Sequence, residues 1–153
     1  MNVNENIHEW KRLADLDLSV ANHLAETHHP TPIEPICFHS QQAAEKMIKC
    51  FLVLNSIKPP HTHDLGELLK LCVAIESGFD QFRRESAILS RYGVMPRYPY
   101  DLELEEHDAK TAILYAEKIC DYVNGFVFSP IEEETTPEEE NPADEIDGNE
   151  DVS

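Results

Sequence analysis

The sequence predicts an all-α protein, an up-down antiparallel helical bundle of four main helices with a short extra helix. Apolar residues recur every three or four positions in several long segments, and no segment shows the period-two alternation of a half-buried strand. Glycine is sparse, with five in 153 residues, and prolines separate the periodic segments. The 41% apolar content is enough to build the core of one domain.

The first two helices are predicted over residues 6–25 and 33–55. The first ends before the segment from His28 to Pro32, because two prolines in three residues cannot continue a helix. The second is apolar on most of its sides from Ala43 onward. We therefore expect it to be the central and most buried helix.

A third helix is predicted to begin near Asp64, which forms a capping-box pattern with Glu67 three residues later. Gly78 indicates a break, and the apolar residues that follow it predict a short fourth helix. The last helix is predicted over residues 104–126, where small and large apolar residues alternate along one stripe.

The charge is concentrated at the C-terminal end. The net charge is −18, and residues 129–153 hold 11 acidic and no basic side chains. The other 19 acidic residues and all 12 basic residues lie in 1–128, which gives that part a net charge of −7. Because 129–153 has almost nothing apolar to bury, we predict a helical domain over 1–128 and a disordered acidic tail over 129–153.

This composition limits the possible functions. A mildly acidic domain does not supply the basic surface of an extended nucleic-acid groove. The four cysteines are scattered through apolar patterns without a Cys-x-x-Cys pair, which favours buried thiols in a reducing compartment. The N-terminus lacks the features of a signal peptide, and no stretch has the length of a membrane span. The sequence predicts a cytoplasmic protein without membrane contact.

Two groups of polar residues could bind a ligand. His39, Gln42 and Lys46 follow one another at helical spacing and form a stripe suited to an anion, although solvent-facing helix edges have the same composition. The segment from His61 to Asp64 holds two histidines and an aspartate, which can bind a metal or move a proton. A structural role is favoured there, because Asp64 is already expected to cap a helix, and no metal or cofactor is predicted.

A third group lies in a loop dense in aromatic residues and prolines. Arg91-Tyr92 and Arg97-Tyr98-Pro99 place arginines beside aromatic rings, a combination that can hold a phosphate and stack on a base. The alternative is that the tyrosines pack the loop against the bundle while the arginines are solvated.

These segments, taken in order, resemble the HEPN domain family over about residues 7–127. The resemblance lies in the motifs Trp10-x-x-x-Ala14-x-x-Asp17-Leu18, Phe38-His39-Ser40-Gln41-Gln42-Ala43-Ala44-Glu45-Lys46, Thr62-His63-Asp64-Leu65 and Arg97-Tyr98-Pro99. It implies a helical bundle that forms a homodimer and pairs with a minimal nucleotidyltransferase, as in toxin–antitoxin-like systems. It also implies binding of a nucleotide or phosphate ligand, for which His39, Gln42, Lys46, His63, Arg91, Arg97 and Tyr98 are the candidate residues.

Some members of the family are metal-independent RNases with an arginine a short interval before a histidine of the last helix. Here the histidine is His107 and the preceding arginine is Arg97, with nine residues and four carboxylates between them. This departure favours a domain that is not an enzyme. An RNase toxin is the alternative, and another is a dimeric interaction module that binds partners through its acidic tail.

Overall fold

The protein is described by a computed structural model that covers residues 3–93 and 103–127, with side chains from residue 6 onward. All secondary structure in these ranges is helical, which confirms the predicted all-α class. The helices are α1 Val3–Thr27, α2 Ile33–Leu54, α3 Leu65–Ile75, a 3-10 helix Ser77–Phe82, α4 Arg83–Ser90 and α5 Glu106–Val127. The acidic tail and the segment with Arg97 and Tyr98 lie outside the described residues.

Helices α1 and α2 form an antiparallel hairpin with α5 packed beside it. The Cys50 thiol, near the end of α2, lies 3.5 Å from the carbonyl oxygen of Ile7, near the start of α1. Asn22 Nδ2, in the second half of α1, lies 3.5 Å from Glu117 Oε1 on α5. The α2 helix is buried on most of its surface between these neighbours, as predicted for the central helix.

Aromatic rings close one end of the bundle. The Phe51 and Phe79 ring centroids lie 4.5 Å apart, and Tyr122 meets Phe79 edge-on at 5.0 Å. The break predicted at Gly78 is present, because the 3-10 helix follows directly after α3. A Cβ at Gly78 would lie only 1.9 Å from the Tyr122 hydroxyl, so a larger residue there would displace that ring.

The start of α3 is fixed by a side-chain cap. Asp64 Oδ1 accepts hydrogen bonds from the backbone N–H groups of Gly66 and Glu67 at 2.8 and 3.3 Å, which confirms its predicted capping role. The backbone N–H of Leu65 donates to Ser90 Oγ at 2.8 Å. Since α4 therefore ends where α3 begins, these two helices run antiparallel.

Within the described ranges, no helix combines the length and the apolar character that a membrane crossing requires.

Candidate functional site: the polar side of α2

Five polar residues recur every three or four positions along α2 and form its polar side: His39, Gln42, Glu45, Lys46 and Lys49. Helix α1 and the loop before α3 approach this side. Two carboxylates organise it, one from α1 and one from α2 itself.

The first carboxylate is Asp17, which is only 8% exposed although it lies on α1. It follows Ala14 and precedes Ala21 on the buried face of that helix. Asp17 Oδ1 lies 2.8 Å from His39 Nδ1, and Oδ2 accepts a hydrogen bond from Lys46 Nζ. Because an ionised carboxylate only accepts, the His39 ring donates through Nδ1. Asp17, His39 and Lys46 form the Asp17 cluster, which joins α1 to α2.

The second carboxylate is Glu45, whose side chain is 5% exposed. Its Oε1 lies 2.8 Å from His63 Nδ1, and its Oε2 lies 3.3 Å from Lys49 Nζ. Gln41, fully buried, donates from Nε2 both to Glu45 Oε1 and to the carbonyl oxygen of His63, each at 3.2 Å. Glu45, Gln41, His63 and Lys49 form the Glu45 cluster, which holds the loop before α3 against α2.

Two further contacts extend the Glu45 cluster. Gln42 Nε2 donates to Gln41 Oε1 at 2.6 Å, so the amide of Gln42 is part of a chain of hydrogen bonds. Lys49 Nζ also lies 5.8 Å from the centre of the Trp10 ring, within the range of a cation–π contact. The buried ammonium of Lys49 therefore has both an opposite charge and an aromatic face as neighbours.

The two imidazoles differ in exposure. The side chain of His63 is 64% exposed, whereas that of His39 is 30% exposed. In both, Nδ1 is directed to a carboxylate. His63 therefore presents an oriented imidazole at the surface, with Nε2 available to hydrogen-bond a ligand.

Gly93, the last described residue before the undescribed segment that holds Arg97, lies beside His63. A Cβ added to Gly93 would lie 3.3 Å from His63 Cβ and 3.4 Å from Gln41 Nε2. After the undescribed residues 94–102, the chain meets the start of α2, where Thr31 Oγ1 donates to Glu106 Oε1 at 2.7 Å. The two anchored ends of this segment thus lie against the loop before α3 and against the N-terminal end of α2.

The comparisons with known proteins show the family to which the chain belongs. The model of the HEPN domain family matches residues 7–126, which includes both clusters. The chain belongs to the HEPN family. The crystal structure of ST0689, an archaeal HEPN homologue, superposes on this HEPN domain with a TM-score of 0.62 at 25% sequence identity. The match covers 79% of this chain and 97% of that one. None of the curated proteins matches the chain.

The predicted ligand-binding residues of this HEPN domain fall into three groups by their position in the structure. His39, Gln42 and Lys46 lie on one side of α2 as predicted, and His63 joins that side through Glu45. Arg91 is exposed at the end of α4, two residues before Gly93. Arg97 and Tyr98 lie outside the described residues.

The sequence interpretation missed the two organising carboxylates as site residues, together with Gln41 and Lys49. Asp17 and Glu45 are both acidic residues at positions where the apolar periodicity requires burial. A buried carboxylate needs a cationic or hydrogen-bonding partner, so an acidic residue on a predicted buried face indicates a polar cluster there.

His107 and the four cysteines lie outside the Asp17 and Glu45 clusters. His107 Nδ1 lies 3.3 Å from Glu105, and its Nε2 lies 3.7 Å from Asp108. No group of three or more potential metal ligands occurs among the described residues. Burial raises the pKa of the Cys37, Cys72 and Cys120 thiols to about 12 and that of Cys50 to about 11, so these four cysteines are neutral at physiological pH.

Proposed function

We propose that this HEPN domain binds a nucleotide or another phosphate-bearing ligand beside His63 and acts as the partner of a minimal nucleotidyltransferase in a toxin–antitoxin-like pair. The observation that supports the binding site is the exposed imidazole of His63, which is oriented by the buried Glu45 and lies next to Gly93, four residues before Arg97 in the sequence. An oriented imidazole and the guanidinium of an arginine are together suited to phosphate oxygens.

In this site the positive charge that a phosphate needs comes mainly from Arg91 and Arg97. Lys46 already bonds Asp17, so its ammonium is largely compensated and can offer a ligand only a secondary contact. Arg97 lies between two prolines in the sequence, which lowers the entropy lost when its guanidinium takes two phosphate oxygens. His63 would donate to or accept from a third oxygen, and Tyr98 would stack on a base.

The direct test is isothermal titration calorimetry with ATP, ADP, AMP and GTP. His63→Ala and Arg97→Ala should each weaken binding, and His61→Ala and Arg84→Ala are the matched controls at exposed positions. Added salt should weaken binding as well. Equal affinities for wild type and the His63→Ala, Arg97→Ala double variant would remove this site from consideration.

The pairing with a nucleotidyltransferase is tested separately. A minimal nucleotidyltransferase from the same organism should co-elute with this domain at micromolar concentration. Co-elution of the wild type but not of a variant ending at residue 128 would instead favour the acidic tail as the interaction surface. Independent elution of all mixtures would contradict the partnership while leaving the ligand site standing.

We also propose that the domain is a homodimer. Leu16 on α1 and Leu114 on α5 are 53% and 49% exposed, and exposed leucines on two neighbouring helices are suited to a second copy. Sedimentation equilibrium should give twice the chain mass of 17.5 kDa. A monomer mass at micromolar concentration would contradict this.

The RNase alternative is not favoured, because the described neighbours of His107 are carboxylates that would repel an RNA backbone. Incubation with RNA in the presence of a chelator tests it. Cleavage that His107→Ala abolishes would restore the enzymatic interpretation.

A further inference from the structure

A cavity of about 270 Å³ lies between α3 and the start of α4, and no residue of the Asp17 or Glu45 cluster lines it. Its described lining residues are Gly66, Leu69, Lys70, Val73 and Arg83. Leu69 is buried and Val73 is half-buried against the core, so the floor of the cavity is aliphatic. The floor is part of the folded core and does not depend on the movement of a loop.

The lining residues of α3 form one stripe. Gly66, Lys70 and Val73 are separated by four and three positions, so they lie on the same side of the helix over a length of about 10 Å. Helix α4 runs antiparallel to α3, since Ser90 bonds the backbone of Leu65. Arg83, at the start of α4, therefore lies towards the Val73 end of the stripe, while Gly66 leaves the other end without a side chain.

The charges of this cavity have one sign. Lys70 and Arg83 are its charged lining residues among those described, in a chain of net charge −18. Arg83 Nε donates to Asp80 Oδ1, which orients the guanidinium and compensates part of its charge. An aliphatic floor with an ammonium and a guanidinium at its edge is complementary to a ligand that has a short apolar body and one acidic group.

We propose that the α3–α4 cavity is a second ligand site, which binds an amphipathic organic anion with its apolar body on Leu69 and Val73 and its acidic group between Lys70 and Arg83. The volume lies just below the range for pockets that hold drug-sized molecules, so it matches a smaller ligand. The site is separate from the proposed nucleotide site, and neither proposal depends on the other.

Fluorescence titration with anilinonaphthalene sulfonate (ANS), an amphipathic anion, tests the proposal on the full chain. ANS fluorescence should rise to saturation with one site per chain, and decanoate should displace it. Decylamine has the same apolar body with the opposite charge and should displace it at least about tenfold less effectively. Equal displacement by both compounds would overturn the charge assignment and with it the proposal.

Variants assign the binding to this cavity. Lys70→Gln with Arg83→Gln should raise the dissociation constant for ANS about tenfold, because two charge contacts are lost. Arg84→Gln, a matched change one residue from Arg83 and outside the cavity lining, should leave it unchanged. Lys70 and Arg83 are exposed and Arg83→Gln removes a surface pair with Asp80, so the double variant should melt within a few degrees of wild type, and Arg84→Gln should melt as wild type does. An unchanged constant in the double variant, or no saturable binding by wild type, would refute the site.

AMP provides the last comparison. If AMP displaces ANS and the displacement is lost in the Lys70→Gln, Arg83→Gln variant, the acidic group that this cavity accepts includes a phosphate monoester. If the displacement is lost in His63→Ala and retained in the double variant, ANS was bound at the proposed nucleotide site, and the α3–α4 site is refuted.

Discussion

The polar side of α2 is partly buried and its apolar side is fully buried, and the two sides accommodate burial in opposite ways. On the polar side, Asp17 and Glu45 each hold a lysine and a histidine, so charges are removed from water only in pairs. On the apolar side, residues such as Met47 and Ile48 are fully buried, and the groups there that could ionise are thiols kept neutral by burial. One helix thus combines a core face with a charge-paired face that orients an exposed imidazole.

The difference implies that the two sides respond to different changes. Loss of one charge on the polar side leaves its partner uncompensated. A rise in pH acts on the apolar core, where Cys37 and Cys50 of α2 lie with two further buried thiols, because these thiols ionise in the unfolded chain at a lower pH than in the folded protein.

Alkaline pH should have the largest effect. The folded thiol pKa values of about 11 and 12 lie above the ordinary 9.0, so the folded state retains protons that the unfolded state loses above pH 9. The thiols therefore contribute stability that is present below their unfolded pKa of 9.0 and is lost as the pH rises towards the folded pKa values, by about 3 kcal/mol in total at pH 9.5 for four thiols. Urea unfolding in a reducing buffer at several pH values measures this.

Cys72→Ala should make the pH dependence shallower by about a quarter, since one of four similar thiols is removed. A free energy of unfolding that stays constant up to pH 9.5 would mean that the thiols are more accessible to water than their burial indicates.

Glu45→Gln should have an effect of similar size, with a loss of about 3 kcal/mol. The change leaves the ammonium of Lys49, whose side chain is 9% exposed, without its opposite charge. Glu26→Gln, at an exposed position on α1, is the control and should change stability by less than about 0.5 kcal/mol. Chemical denaturation at pH 7 measures the free energy of unfolding of both variants. If both lose the same small amount of stability, the ammonium of Lys49 is in contact with water.

Asp17→Asn should cost less, about 2 kcal/mol, because Lys46 is 21% exposed and can direct its ammonium to solvent. The exposed Asp15→Asn, also on α1, should cost less than about 1 kcal/mol, since it removes only the surface pair with Lys11. If Asp17→Asn lost more stability than Glu45→Gln, the charge pairs between α1 and α2 would contribute more to stability than those of the more deeply buried Glu45 cluster.

The two histidines should show the smallest effects on stability. His63→Ala should change the free energy of unfolding by less than about 0.5 kcal/mol, because most of this side chain is exposed, whereas His39→Ala should cost about 1 kcal/mol. For nucleotide binding the order should reverse, with a larger loss of affinity for His63→Ala than for His39→Ala. Calorimetry and denaturation on the same two variants test this, and parallel effects in both measurements would argue that neither imidazole has a binding role.

Much of the fold follows from local sequence patterns. The all-α class, the central position of α2 and the capping role of Asp64 rest on periodicity and short-range chemistry, and the structure confirms them. The ends of helices were less predictable. The last helix begins at Glu106 rather than near Leu104, because Asp108 accepts a hydrogen bond from the backbone N–H of Glu105 and so fixes the first turn.

The sequence by itself determined that His39, Gln42 and Lys46 share one side of a helix, because helical spacing decides which residues are neighbours on a surface. Only the tertiary structure decided what that side faces. Asp17 is 29 positions from Lys46, and His63 is 18 positions from Glu45, so these pairs form only when the helices pack. Periodicity specifies a face, but the partner of a buried charge is set by the contact between elements, and here that contact oriented His63 at the surface and compensated Lys46.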